Sequence, residues 1–187
     1  MKDAELTETT LESTELRGTR FMQVRYDRVR LPSGREGGRE YIVHPGAVLV
    51  IPMLDNGMLV LERQFRYPLK QVFIELPAGK IDPQEPPIET GKRELQEETG
   101  YSAAQWTYLA AQHPCIGYSD EIIHIYLAQG LTPGAHARDV DEALQIFEAS
   151  FADCMDMVQR GDITDGKTII ALFWLEKYLQ GTWQPQS

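Results

Sequence analysis

Three glutamates, Glu94, Glu97 and Glu98, stand three and four positions apart behind Arg93 in the run Arg-Glu-Leu-Gln-Glu-Glu. On a helix this spacing projects all three carboxylates from one face. Like charges so placed repel by some tenths of a kcal/mol per pair, so a helix with no use for them gains nothing by carrying them. The chemistry that would use them is the holding of a hard divalent cation, which takes oxygen ligands and bridges carboxylates to phosphate oxygens. Mg²⁺ suits such a face, and Mn²⁺ is expected to serve in its place. Arg93 can orient a neighbouring carboxylate through paired N–H groups. A bare pattern of this kind is more often a solvated acidic face. Here Glu85 precedes it at the entrance of the helix, Gly79 lies in the loop before that, and Gly100 follows.

The elements that must position these acids can be read from periodicity. Pro87 suits a first helical turn and Gly100 a terminal position, which predicts a helix between them. Upstream, Glu12 to Leu31 alternates as a strand does, Pro32 to Gly34 reads as a turn, and Arg39 to Val43 as a returning strand. Ala47 to Leu54 is continuously apolar. Asp55-Asn56-Gly57 then makes a hairpin turn into Met58 to Gln64, so these two strands are expected to pair antiparallel. Trp106 to Ala111, Ile122 to Ala128 and Gln145 to Ala149 return to strand. Helices at Phe151 to Gln159 and Lys167 to Leu179 close the chain, each followed by a glycine. Strands, helix, strands and helices in that order imply a mixed sheet with helices packed on it.

Composition narrows the setting. The 187 residues carry 28 acidic and 18 basic side chains, a net charge of -10, which disfavours a nucleic-acid partner. No apolar run approaches the roughly 20 residues of a membrane helix, and the polar, acidic N-terminus lacks the apolar stretch of a signal peptide. Cys115 and Cys154 form no secreted-type disulfide framework and, like the four histidines, no zinc pattern. A cytoplasmic protein without membrane or nucleic-acid partners is the expectation.

The segment from Gly79 to Tyr101 resembles the Nudix box, G-x5-E-x7-R-E-U-x-E-E-x-G-U, at every fixed position. The resemblance implies an α/β fold, the Nudix mixed-sheet α/β/α sandwich, and cation-assisted attack of water on a nucleoside diphosphate linked to another group. Glu94 and Glu98 match the family's principal metal ligands, with Glu97 and the Ala78 carbonyl in support. Gly79, Glu85, Arg93 and Gly100 match residues that shape the loop and helix. The pair Thr90-Gly91 departs from the alanines common in relatives, and a mid-helix glycine costs up to about 1 kcal/mol against alanine.

Three further segments resemble the ADP-ribose pyrophosphatase branch: Arg39-Glu40 with His44 to Ala47, Arg63 to Tyr67 with Glu75 to Asp82, and His113 to Glu121. They imply Arg39, Glu40, Arg66, Ile116, Gly117 and Glu121 as substrate contacts, the arginines offering forked donors to a pyrophosphate or terminal phosphate. Ile116 stands where that branch usually has proline. The family's base often lies in a late acidic loop, which points to Glu142, with Asp141, Asp139 and Glu121 as alternates. By the same resemblance residues 1–45 form a small antiparallel β unit that pairs two subunits into a homodimer, and 46–187 form the hydrolase domain.

The implied reaction is Mg²⁺-dependent cleavage of ADP-ribose to AMP and ribose 5-phosphate. GDP-mannose or another nucleoside diphosphate sugar is an alternative substrate. A non-catalytic ADP-ribose sensor is the alternative of another class, but such a module would be expected to lose box carboxylates, and here all are present.

Overall fold

The computed structural model describes residues 6–18, 22–134 and 143–185. The chain divides into two compact units, one of Met1–Pro45 with Cys115–Glu121 and one of Gly46–Pro114 with Ile122–Ser187. The short segment Cys115–Glu121, which the sequence reading left inside the 46–187 span, therefore clusters with the first unit.

The first unit is a three-stranded antiparallel sheet in the order β1-β2-β3, from Thr9–Gly18, Gln23–Arg30 and Glu36–Val43. The sequence suggested one alternating stretch from Glu12 to Leu31. Instead the chain turns back within it, and β1 pairs with β2 in a register running from Thr9 opposite Arg30 to Gly18 opposite Gln23. Every residue of β1 is exposed, and among the described residues of this unit only Asp27 and Val29 are buried. Asp27 accepts hydrogen bonds from Ser13 and from Tyr41 (3.2 Å), so a polar cross-strand cluster stands where a larger sheet would have an apolar core.

In the second unit, β4 (Ala47–Pro52) is the central strand of a four-stranded mixed sheet in the order β7-β4-β9-β8, with β7 at Ala78–Lys80, β8 at Tyr101–Gln112 and β9 at Ile123–Pro133. It runs parallel to β9, and Val48, Leu49, Val50 and Ile51 are wholly buried, as a strand covered on both faces requires. A second, antiparallel sheet has the order β10-β5-β6, from Leu144–Ala149, Leu59–Arg66 and Gln71–Glu75.

The expected β4–β5 hairpin is thus overturned. The turn forms as read, with Gly57 at φ 82° and the Asn56 side chain accepting from the Met58 amide at 3.0 Å. Beyond one bridge between Met53 and Leu59, however, the strands part into different sheets. Both are apolar on their two faces near the turn, so each can be enclosed within its own layer. Leu49, Ile51, Leu59 and Leu61 then belong to one buried cluster.

Helices α2 (Phe151–Arg160) and α3 (Gly166–Leu179) close that cluster. Ser150 and Asp153 form a reciprocal capping box on α2, and Gly161 ends it at φ 81°. On α3, Thr168, Ala171, Leu172 and Leu175 form one buried face at three- and four-residue intervals. Asp165 caps it by accepting from the Thr168 amide at 3.1 Å. No helix among the described residues is long and apolar enough to cross a membrane.

Candidate active site

The acidic helix begins as expected, with α1 at Pro87–Glu94, Pro87 opening it and Glu89 in its first turn. It does not continue as an α-helix. Leu95–Thr99 form a π-helical turn, and Gly100 closes it in the left-handed conformation at φ 77°. Such widened turns occur often at functional sites, because they alter how successive side chains project.

The departure at Thr90-Gly91 has a packing reason on each residue. The buried Thr90 hydroxyl donates to Glu85 at 2.7 Å. A methyl at Gly91 would come within 3.2 Å of Val48 and 3.3 Å of Trp106, so glycine lets α1 lie close on β4. The helix-propensity cost of Gly91 is set against that closer approach.

Arg93 organises the acids. Its Nε and Nη2 donate to the two Glu85 oxygens at 3.1 and 3.0 Å, and Nη1 donates to Glu94 at 2.7 Å and Glu97 at 3.1 Å. Nη2 also reaches the Lys80 carbonyl at 3.1 Å, tying the loop to the helix. The hydrogen bonds from Arg93 outweigh desolvation and hold the Glu85 carboxyl down to about 2. The same bonds push Arg93 further above its already high value.

Glu98 is 4% exposed, and its Oε2 accepts from the Ala78 amide at 3.0 Å. Glu94 lies against Gly79, where a Cβ would sit 1.9 Å from the carboxyl carbon. Glycine is needed there because the glutamate crosses the backbone. Among the described residues no three His, Cys, Asp or Glu side chains already converge as a cation cage. The donor set nevertheless fits a hard divalent cation: three carboxylates from one turn of helix and the Ala78 main chain offer oxygen alone.

The strap from Glu75 to Gly79 is fastened at each residue. Glu75, 2% exposed, receives Arg66 Nε at 2.7 Å and Nη2 at 2.8 Å, and also pairs with Lys167. The Leu76 amide donates to the Thr168 hydroxyl at 3.0 Å, and the Pro77 carbonyl accepts from Val50 at 2.9 Å. Ala78 and Gly79 then meet Glu98 and Glu94. Burial alone would raise the Glu75 carboxyl, but Arg66 and Lys167 bring it below the ordinary carboxylate range. The sequence singles out Arg66, but neither its partner Glu75 nor Lys167, which pairs with Glu75. The short strand β6 would have been the signal for Glu75, whereas nothing local marks a lysine 92 residues away.

In the first unit, Arg39 pairs with Glu8 and donates to the Gly38 carbonyl at 2.8 Å, while Glu40 stands exposed on β3 opposite Tyr26. The segment carrying Glu121 is clipped to the end of β3: the Ile42 amide donates to Tyr118 at 2.8 Å and the His44 amide to Asp120 at 2.7 Å. Glu121 approaches His44 Nδ1 at 3.7 Å. Ile116 is 84% exposed, and an added methyl at Gly117 would meet nothing within 4 Å. The structure therefore brings Glu85, Arg93, Glu94, Glu97 and Glu98 together with Ala78 and Gly79, and separately places Glu121 beside His44. Glu142, Asp141 and Asp139 lie outside the described residues.

Residues 43–185 match the NUDIX domain and residues 8–42 the nucleoside diphosphate sugar hydrolase N-terminal domain. An ADP-ribose pyrophosphatase of Bacillus subtilis (strain 168) is 35% identical over 91% of this chain and 94% of its own. A methanol dehydrogenase activator of Bacillus methanolicus is 36% identical over 90% and 92%. Among solved structures, that of an ADP compounds hydrolase superposes with a TM-score of 0.85 at 27% identity, covering 94% of this chain and 96% of that one.

Proposed function

The chain belongs to the Nudix family of hydrolases, and from that premise we propose that it cleaves the pyrophosphate bond of a nucleoside diphosphate sugar, ADP-ribose first among them, using Mg²⁺. Water adds to one phosphorus and the bridging oxygen departs, giving AMP and ribose 5-phosphate. The observation that carries this reading is the convergence of Glu94 and Glu98 on the Ala78–Gly79 backbone, with Arg93 tying Glu85, Glu94 and Glu97 together.

Glu94 and Glu98, with Glu97 and the Ala78 carbonyl in support, would hold the cation. A divalent cation held there would supply polarisation of a phosphoryl oxygen and acidification of water. Arg93 offsets the mutual repulsion of Glu85, Glu94 and Glu97. Arg66, fixed by Glu75, presents its remaining N–H groups to an anionic phosphate. Arg39, Glu40, Ile116, Gly117 and Glu121 serve as further substrate contacts. Glu142 is the base that receives the water proton, with Glu98 alongside it in the catalytic set.

The N-terminal unit, residues 1–45, pairs two copies of the chain into a homodimer, and residues 46–187 carry the chemistry. The burial of Asp27 and Val29 alone in the described first unit and the full exposure of β1 support this, since a sheet without a hydrophobic face needs a packing partner for stability. Leu11 and Leu16 on that strand, 37% and 56% exposed, would be covered by the partner. The acidic net charge of -10 argues against a nucleic-acid partner, and the cytoplasm is the proposed site of action.

The test is a panel containing ADP-ribose, GDP-mannose and other nucleoside diphosphate sugars, incubated with Mg²⁺ and followed by product identification. ADP-ribose should be the best substrate, with AMP and ribose 5-phosphate as products. Failure to hydrolyse any member of the panel would overturn the reading.

A further inference from the structure

An open cleft of about 250 Å³ lies in the second unit, lined by Arg66, Glu75, Asp165 and Lys167 together with Leu69 and Phe73. Glu75, 2% exposed, is the shared partner of both cations in that lining. Across the β5–β6 ladder from Glu75 stands Glu62, itself 1% exposed. Two buried carboxylates therefore face each other across neighbouring strands, and burial of that kind requires cations close by. Arg66 supplies one, spending Nε and one Nη2 hydrogen on Glu75. Lys167 supplies the other, and Asp165 holds its ammonium at 3.0 Å.

We propose that Lys167 is a positioning residue for anion recognition by Arg66. The proposal rests on the reading of Arg66 as a substrate contact and names what makes that contact effective. With Glu75 as its sole partner, Arg66 would be nearly neutralised by a carboxylate that no water screens. Glu62 and Asp165 add further negative charge to this cluster, and Lys167, by offsetting part of it, lowers the negative potential around the guanidinium. Arg66, which lines the cleft, is then better able to attract a phosphate oxygen. Because Asp165 also caps α3 and Thr168 receives the Leu76 amide, Lys167 sits on a helix end already bound to the strap that leads to Ala78.

Lys167→Met removes the charge and keeps the length of the side chain, and Lys167→Gln keeps a donor for Glu75 without charge. Both, with Lys167→Arg, are compared with the full-length wild type for melting temperature, for KM and kcat on ADP-ribose with Mg²⁺, and for binding of inorganic pyrophosphate by calorimetry. The expected result is a KM raised about tenfold in Met and Gln, kcat within about twofold, a matching loss in pyrophosphate affinity, and recovery in Arg. If Lys167→Met does not fold, Lys167→Gln gives the same reading. A folded, charge-free variant with wild-type KM and pyrophosphate affinity overturns the proposal, as does an equal loss in Lys167→Arg, which would mark a purely steric role. Should the wild type hydrolyse no nucleotide sugar, the pyrophosphate comparison still decides the part played by Lys167.

Discussion

Gly79 and Glu94 share a space that can hold only one of them in full: the glutamate carboxylate lies where a Cβ on residue 79 would be, 1.9 Å from its carboxyl carbon. The glycine at the head of the family motif is thus explained here by the side chain lying across it. Its φ is not in the left-handed region, so the demand is for room and not for backbone freedom.

Gly79→Ala should therefore act on the acid and leave the fold largely intact. The flexible carboxylate must swing aside, which costs little stability but removes a ligand from its place. The expected outcome is a fall in rate of roughly 10²-fold or more and a higher Mg²⁺ requirement, since misplacing a reacting group by about 1 Å can cost that much. Cation titrations of activity beside thermal melts check it; a normal Mg²⁺ requirement would contradict it.

Glu98→Gln and Glu142→Gln should separate two kinds of acid. Loss of the Glu98 charge should weaken cation affinity and rate together. Loss of Glu142 should leave substrate binding near wild type and lower the chemical step by roughly 10²–10⁴-fold. Single-turnover kinetics with substrate binding measured separately distinguishes them. Normal turnover by Glu142→Gln moves the base to Asp141, Asp139 or Glu121.

Acid stability should depend on Glu85. Its carboxyl is depressed from 4.5 to about 2 in the folded chain, chiefly by the Arg93 hydrogen bonds. A depressed acid contributes stability that is fully present above the unfolded value and is lost as pH falls through the folded one. The contribution therefore disappears between about pH 4.5 and about pH 2. Melting temperatures of Glu85→Gln should lie below wild type at neutral pH and converge with it across that window.

Leu95→Ala should damage the fold and spare the chemistry of what remains folded. Leu95 sits between the acids in sequence, yet it is wholly buried against Val48, Val50 and Ala128. Truncation there should cost about 2–5 kcal/mol. Denaturant midpoints, with activity scaled to the folded fraction, test the separation; a rate loss exceeding the loss of folded protein would contradict it.

Assembly is tested by mass. The full chain should run as a dimer in solution, and a chain beginning at His44 as a monomer with weakened substrate affinity. Light scattering on both, with KM for each, is the measurement. A full-length monomer with normal affinity would defeat the dimer proposal.

The acidic helix was legible because its constraints are local: Glu85, Arg93, Glu94 and Glu98 fall within fourteen residues, and their contacts follow from helical and loop geometry. What periodicity could not supply was the destination of strands. The turn at Asp55–Gly57 announced a hairpin, but the choice of partner for β4 depends on β9, some seventy residues later. The strand β6 is too short and too polar at its start to stand out beside the motif that follows it. Thr90-Gly91 read as a weakness and is a fit to Glu85 and Trp106, because helix propensity says nothing of what the helix packs on. Lys167 carries no pattern at all, and only the folded chain brings it to Glu75.

The strap Glu75–Gly79 has a consequence for how this chain can change length. Five consecutive residues each make an attachment of their own: Glu75 to β5 and α3, Leu76 to the Thr168 hydroxyl, Pro77 to β4, and Ala78 and Gly79 to two separate acids of the motif helix. A substitution at one of them disturbs one attachment. Inserting or deleting a single residue within it puts the attachments on one side of the change out of step with those on the other, so several are lost together. Descendants of this sequence should accept insertions at the exposed turns around Gly34 or Gly57, where an added side chain meets nothing, and none between Glu75 and Gly79.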